Sequence, residues 1–562
     1  MPADDATIEP DAPIRAVDRV LGLDVALPLA ASILVAGMVL WLWSQRLAYP
    51  YDLEWMEGGM LAHAWRIARG LPLYVEPGPE FVPYVYPPGY PTLLAALGFV
   101  FGLSPALGRA VSIAGTLLAT AAAGRIVHRQ TGNPLAALVA AATFLGTYPA
   151  SGAFFDLVRP DGLMMGLLAA SIAVALERHR RAPEVAGALL ALAFLCKHNV
   201  AVFGLPLALG LWLRDGGRPA LRFAAAAAAP SLLAVLWLEW RSSGRFLQYL
   251  VAVPMSHPRY WDRVWPGMFQ EVGNALPVVM LLAAGAGLWL ALTSRRTVGV
   301  PVATFLPVFV GMACGAVGTY VPPKEPGLAN IPAGLAFFAA GAGTVGLALW
   351  ALRGARPGWR PVSALALGAV ALASAAAMRA HDGGYVTVLI PLYWCLAVGF
   401  GGLLAWIGGW PGERMRALMV LAATCQLSWQ LLRFDRAALV PTAADVALGD
   451  RLVAAARSAE GEVLSPFAAW IPVYAGKPPS VHDMGLWDLE APGGPFEADR
   501  QRIRDAVAAH RWGMVLGGNR PFPYGLNEHY RVLEKVVDGG DPALMPKTGL
   551  QARPIRILVP VD

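Results

Sequence analysis

Long apolar runs, separated by short arginine-bearing loops, constrain this chain more than any other feature. Many of these runs approach the ~20 residues a helix needs to cross a ~30 Å hydrocarbon core. Backbone groups in lipid must be satisfied within the segment, so such runs fold as helices. Hydrophobic residues make up 56% of the 562 and charged residues 15%, where a soluble domain carries roughly 25% charge. The chain therefore reads as a polytopic α-helical membrane protein. Its net charge of +6 does not imply a nucleic-acid partner, because much of the arginine excess sits between apolar runs, where it sets orientation. The cysteines Cys196, Cys314, Cys395 and Cys425 lie in or beside apolar runs and form neither a disulfide framework nor a metal-ligand spacing. Residues 1–20 are polar and acidic, and read as a disordered cytoplasmic N-terminus. They lack the basic stretch of a cleaved signal peptide, so the first run is expected to remain as a span.

Counting basic loops gives the orientation. Arg15 and Arg19 precede the first run, at about 25–43, which favours a cytoplasmic start and an outer first loop. Further runs end inside at Arg125 and Arg129, at Arg178, Arg180 and Arg181, at Arg214, Arg218 and Arg222, at Arg295 and Arg296, at Arg353 and Arg356, and at Arg414 and Arg416. Basic clusters flank the stretch 185–213 on both sides, so it is expected to cross twice, turning outside near Lys197. The total is about 13 transmembrane helices over residues 21–432. Residues 433–562 change character. Expected helices at 443–459 and 500–510 and strands at 462–464 and 514–516 suggest a small α/β domain outside.

Residues 49–91 form the chemically richest loop, with Asp52, Glu54, Glu57, His63, Arg66, Arg69, Glu76 and Glu80 set among Tyr, Trp and Pro. Within it, 55–69 has helical periodicity and 92–103 is apolar but too short to span, so both are expected to lie flat at the membrane surface. By parity the other polar candidates share its side: Arg159, Asp161, Lys197, His198, Arg259, Lys324, Glu325 and His381. Ionisable groups near membrane depth are costly and gather at functional sites. Asp52 reads either as a helix N-cap or as a general base for a hydroxyl. Glu54 would share its face in an extended chain, whereas Glu57 reads as a solvated or helix-terminal charge. Arg159 and Asp161 either start a helix at Pro160 or contact substrate. Lys197 and Lys324 either snorkel or bind phosphate, with Glu325 a possible ion-pair partner for Lys324. Arg259 and His381 are weaker phosphate candidates. No P-loop, HExxH or nucleophile elbow is present, and no cofactor is implied, although the Asp52 and Glu54 carboxylates could together orient an acceptor or hold a divalent metal.

The stretches Tyr51-Asp-Leu-Glu-Trp-Met-Glu-Gly-Gly59 and Tyr86-Pro-Pro-Gly-Tyr-Pro91, with Arg159-Pro-Asp161 and Leu195-Cys-Lys-His198, resemble those of the GT-C membrane glycosyltransferases. Protein O-mannosyltransferases and lipid A aminoarabinose transferases are such enzymes. The resemblance covers about residues 25–430. It departs at Asp52-Leu53-Glu54, where the family has adjacent acidic residues, and at His198-Asn199, where it has glycine. It implies transfer of a sugar from a polyprenyl-phosphate donor to a lipid, glycan or protein acceptor at the outer face of the cytoplasmic membrane. Asp52 would be the base, with Glu54 its nearest rival, and Lys197 and Lys324 would hold phosphate. A transporter or flippase for lipid-linked sugars, or a scaffold in envelope assembly, is the alternative. The one-sided polarity and the lack of an internal repeat weigh against transport.

Overall fold

The computed structural model describes residues 17–283, 359–409, 411–538 and 540–561. Its first half is a bundle of apolar helices: α1 (Val17–Arg46), α4 (Pro105–Thr131), α5 (Pro134–Gly146), α6 (Pro160–Ala175), α7 (Ala182–Cys196), α8 (Gly204–Asp215) and α9 (Gly217–Arg241). Two more helices, α2 (Glu57–Ala68) and α3 (Gly89–Phe101), lie in the loop after α1. Later come α10 (Trp359–Ala380), α11 (Ile390–Gly408) and α12 (Glu413–Leu432). Among the described residues, four helices are long and apolar enough to cross a membrane. The count rises to five if the bent pair 413–432 and 436–458 is one span, and five further apolar helices are shorter. The expected runs thus fold as helices, and the break expected at Lys197 separates α7 from α8. The expected eighth span ends, and the ninth and tenth lie, outside the described residues.

Local sequence explains the helix ends. Ser104 caps α4 by accepting from the Leu107 amide at 3.3 Å, Pro105 fills the first turn, and Gly132 closes it at φ 70°. A left-handed residue there favours glycine because it lacks a Cβ. Asn133 then caps α5 through the Ala136 amide at 3.0 Å. Side-chain size sets the packing. Any Cβ on Gly115, Gly162 or Gly166 would strike the facing backbone between α4 and α6. Helices in lipid gain no hydrophobic drive from meeting each other, so close backbone approach through small residues supplies the contact.

The C-terminal stretch carries α13 (Ala443–Ser458), α14 (Arg500–Ala508) and four strands: β1 (Glu462–Leu464), β2 (Trp512–Gly518), β3 (Tyr530–Lys535) and β4 (Pro554–Pro560). They form one sheet of order β1-β2-β4-β3, with β1 and β2 parallel and the other pairs antiparallel. Thr442 and Asp445 form a reciprocal capping box on α13. The two helices and the first two strands lie where the pattern predicts them, but β3 and β4 were not anticipated. All of β3 after Tyr530 is exposed, so it shows no alternation of buried and exposed positions.

The sheet is welded to the loops. Leu464, Val515 and Leu558 share a buried cluster with Ile503 and Val507 of α14, with Tyr74 and Val82 of the first loop, and with Phe246, Tyr249 and Val253 of the loop after α9. The main chain is joined directly as well: the Lys547 amide donates to the Leu53 carbonyl at 2.7 Å, and Glu54 bridges to Thr548.

Candidate functional site

Two buried ion pairs hold the first loop in place. Arg109 of α4 is fully buried and uses all five N–H groups: two to the Glu57 carboxylate, at 3.1 and 2.6 Å, and three to the carbonyls of Arg46, Tyr49 and Tyr51. Glu57 also accepts from the Leu53 and Val158 amides, both at 2.7 Å. Glu57 begins α2 as expected but is not solvated: it is buried at the junction of three segments. Arg46 at the end of α1 grips Asp156 at 2.7 and 3.2 Å, and the Tyr148 hydroxyl donates to the same carboxylate at 2.9 Å. Neither pair leaves a group free for substrate, so both are structural.

A second cluster converges on Tyr86. Arg159 donates to the Tyr86 hydroxyl at 3.0 Å and pairs with Glu54 at 3.4 Å. Lys197 pairs with Asp161 at 2.8 Å, and its Nζ lies 5.8 Å from the centre of the Tyr86 ring. Arg159 sits at the N-cap of α6, with Pro160 and Asp161 in its first turn, so the helix-start reading of these residues is correct and coexists with the cluster. Valences remain open here. Arg159 Nε, Asp161 Oδ2, His198 Nδ1 and Asn199 Oδ1 are buried without a hydrogen-bond partner. Burial drives the Glu54 carboxyl up to about 7 against the opposing pull of Arg159.

Asp52 stands apart. It is not an N-cap: that position of α2 is Met56, with no side-chain bond. Its side chain is half-buried and lines a narrow cleft of ≈ 20 Å³ together with Tyr51, Trp470, Tyr474, Leu544 and Arg553. Among the described residues it has no ion-pair partner, whereas Glu54, Glu57, Asp156 and Asp161 each have one. Burial first, then the charge of Glu57, raises its carboxyl well above the ordinary range; Arg109 and a hydrogen bond from the Gly58 amide oppose them. Both acids meet the C-terminal unit: Asp52 lines the cleft with Trp470 and Tyr474, and Glu54, besides pairing with Arg159, bridges to Thr548.

The remaining candidates fall elsewhere. Arg259 is exposed and its backbone bridges to that of His381, whose Nε2 lies 3.0 Å from the Pro254 carbonyl. Lys324 and Glu325 lie outside the described residues. No group of three or more His, Cys, Asp or Glu suited to a metal ion occurs among the described residues. Sequence reasoning missed Arg109, although an arginine inside an apolar run was the signal that could have found it. It also missed Tyr86 as the centre of the cationic cluster.

Residues 84–320 match the family model of glycosyltransferase family 87, a GT-C-type family. The matched stretch contains Tyr86, Arg159, Asp161 and Lys197, while Asp52 and Glu54 precede it. The crystal structure of ArnT from Cupriavidus metallidurans, in the apo state and bound to undecaprenyl phosphate, is similar over 97% of this chain and 98% of that chain, with 14% identity and a TM-score of 0.44. The archaeal oligosaccharyltransferase AglB from Archaeoglobus fulgidus, in complex with an inhibitory peptide and a dolichol-phosphate, is similar over 89% of this chain and 70% of that chain, with 13% identity and a TM-score of 0.43. No curated protein sequence matches the chain.

Proposed function

We propose that this GT-C-type protein transfers a sugar from a polyprenyl-phosphate donor to an acceptor hydroxyl at the outer face of the cytoplasmic membrane. One observation carries the reading. Near residues 52–54 lie a cleft-lining carboxylate without an ion-pair partner and two ion-paired cations, Arg159 and Lys197, of which Arg159 keeps an unpartnered Nε. Asp52 takes the proton of the acceptor hydroxyl as its oxygen bonds to the anomeric carbon. The bond from that carbon to the phosphate oxygen breaks, and its electron pair leaves with the polyprenyl phosphate. Lys197 and Arg159 stabilise the charge that gathers on the phosphate, and Glu54 orients Arg159. Phosphate leaves readily, so no protein acid is needed, and a single displacement inverts the anomeric centre. A base works best with a pKa near the operating pH, and the upward shift at Asp52 moves it in that direction.

The same reading includes about 13 spans over 21–432, with 49–91 as the catalytic loop, and a C-terminal α/β unit over 433–562 on the same outer side. Lys324 and Glu325 would join the phosphate site, while Arg259, His198 and His381 would line it. The acceptor is a lipid, glycan or protein. The test supplies membranes containing the chain with labelled polyprenyl-phosphate sugars. Sugar transferred to an acceptor supports the reading. Movement of intact donor between leaflets without transfer makes the protein a flippase instead.

A further inference from the structure

Three segments distant in sequence meet beside the first loop. The segment running from His482 through the short helix Asp483–Asp488 begins on the loop itself: His482 Nε2 lies 2.7 Å from the Trp55 carbonyl, and its ring packs on the Trp55 ring at 5.0 Å. At 1.5 Å rise per residue, that helix carries its last residue about 9 Å from this anchor. There it meets His257, which ends the short helix Val253–Ser256, and His381, which follows α10. The His257 ring centre lies 5.3 Å from that of Trp487 and 5.0 Å from that of His381. Main-chain bonds lock the approach, from the Tyr260 amide to the Ala380 carbonyl at 2.6 Å and from the Asp382 amide to the Pro258 carbonyl at 3.1 Å.

The polar atoms at this junction are incompletely used. Asp488 and His257 are 3% and 4% exposed, yet Asp488 Oδ2 and His257 Nδ1 have no hydrogen-bond partner. His257 Nε2 lies 2.8 Å from the Asp488 carbonyl oxygen and 4.0 Å from its Oδ1, so Nε2 carries a proton and donates to that carbonyl, and Nδ1 is left without a partner. Burial raises the Asp488 carboxyl well above the usual range, with the charge of Arg159 opposing it. A neutral carboxyl can donate as well as accept. Buried groups of this kind are almost always paired, and each exception calls for a cause. Beside them Trp487 is only half-buried, with its ring centre 5.3 Å from that of His257. A donor and an acceptor beside a flat apolar surface match a sugar, whose hydroxyls both give and take hydrogen bonds and whose C–H face stacks on indole.

We propose that Trp487, Asp488 and His257 form a subsite for sugar hydroxyls, built mainly by the C-terminal unit and set beside the first loop. The assignment rests on the glycosyltransferase reading for its role, though not for its chemistry. The sugar belongs either to the lipid-linked donor or to a glycan acceptor, and both present the same hydroxyls.

The test uses the full chain in lipid nanodiscs with three probes: methyl hexosides, a polyprenyl phosphohexose and bare polyprenyl phosphate. Saturation-transfer NMR should show methyl hexoside binding to the wild type, and D488L and W487A should abolish it, whereas D488N, which keeps a donor and an acceptor, should retain part of it. W487F, which keeps an aromatic ring, should retain part of the signal and guards against a folding defect. If the sugar comes from the donor, D488L weakens polyprenyl phosphohexose by about 10-fold or more, the scale of one hydrogen bond to a buried ionisable group, and leaves bare polyprenyl phosphate unchanged. If it comes from the acceptor, both lipids bind D488L as they bind the wild type while the methyl hexoside signal is lost. The proposal is overturned if the wild type gives no methyl hexoside signal, if D488L and W487A leave that signal intact, or if D488L weakens both lipids equally. A wild type that binds methyl hexoside here but transfers no sugar overturns the glycosyltransferase reading and leaves the subsite standing.

Discussion

Asp52 and Glu57 lie five positions apart in one loop, yet the fold treats them oppositely. Glu57 is fully buried, gripped by Arg109 and by two backbone amides. Asp52 is half-buried, faces a cleft and has no ion-pair partner among the described residues. Charge alone does not mark a catalytic acid; what matters is whether its lone pairs are already committed. A carboxylate with every valence filled holds structure, and one that accepts only a backbone amide at a cleft, with no ion pair, keeps lone pairs that can take a proton.

The largest effect expected from this contrast is on stability. R109L strands the buried Glu57 carboxylate, and losing one partner of a buried pair costs about 3–5 kcal/mol. Little folded protein should remain in detergent thermal-melting or protease-resistance assays, whereas D52N should melt like the wild type. Equal melting of R109L and the wild type would erase the distinction between the two acids.

The next effect concerns the pair Lys197–Asp161. K197Q alone strands Asp161, so the informative variant is K197Q with D161N, which removes both charges. If Lys197 holds phosphate, the double variant folds but binds polyprenyl phosphate about 10- to 100-fold more weakly, the scale of a hydrogen bond to a charged group. Wild-type lipid affinity in the double variant would make the pair purely structural.

The smallest effect is on pH dependence. A base must be deprotonated to act, so transfer falls as pH drops through its pKa. The charge of Glu54 is one of the groups that raise the Asp52 carboxyl, after burial and Glu57. E54Q removes that charge, so the acid limb of kcat/KM should move to lower pH while transfer persists. Complete loss of transfer would instead make Glu54, itself raised to about 7, the base.

The parts legible in the sequence were those that depend on local pattern. Apolar runs became helices, the periodicity of 55–69 became α2, the short apolar run 92–103 became most of α3, and Lys197 did break the stretch 185–213. Pairings across distance were not legible. The partner of Glu57 is 52 residues away, and His257 meets Asp488 across 231. Nothing in either neighbourhood names the other. Nor does the sequence say that Asp52 and Glu54, two positions apart, take different partners: Glu54 pairs with Arg159, whereas Asp52 has no ion-pair partner among the described residues. Strands β3 and β4 escaped for a related reason: their pairing is with each other and with β2, and β3 shows no alternation of its own.

The central claim is that Asp52 accepts the proton in sugar transfer. Its most direct test is single-turnover transfer from a labelled polyprenyl-phosphate sugar by D52N in membranes, with donor binding measured alongside. The expected result is a rate about 100- to 10,000-fold below wild type, the range of general-base contributions, with donor affinity and melting unchanged. A wild-type rate from D52N would contradict the assignment outright.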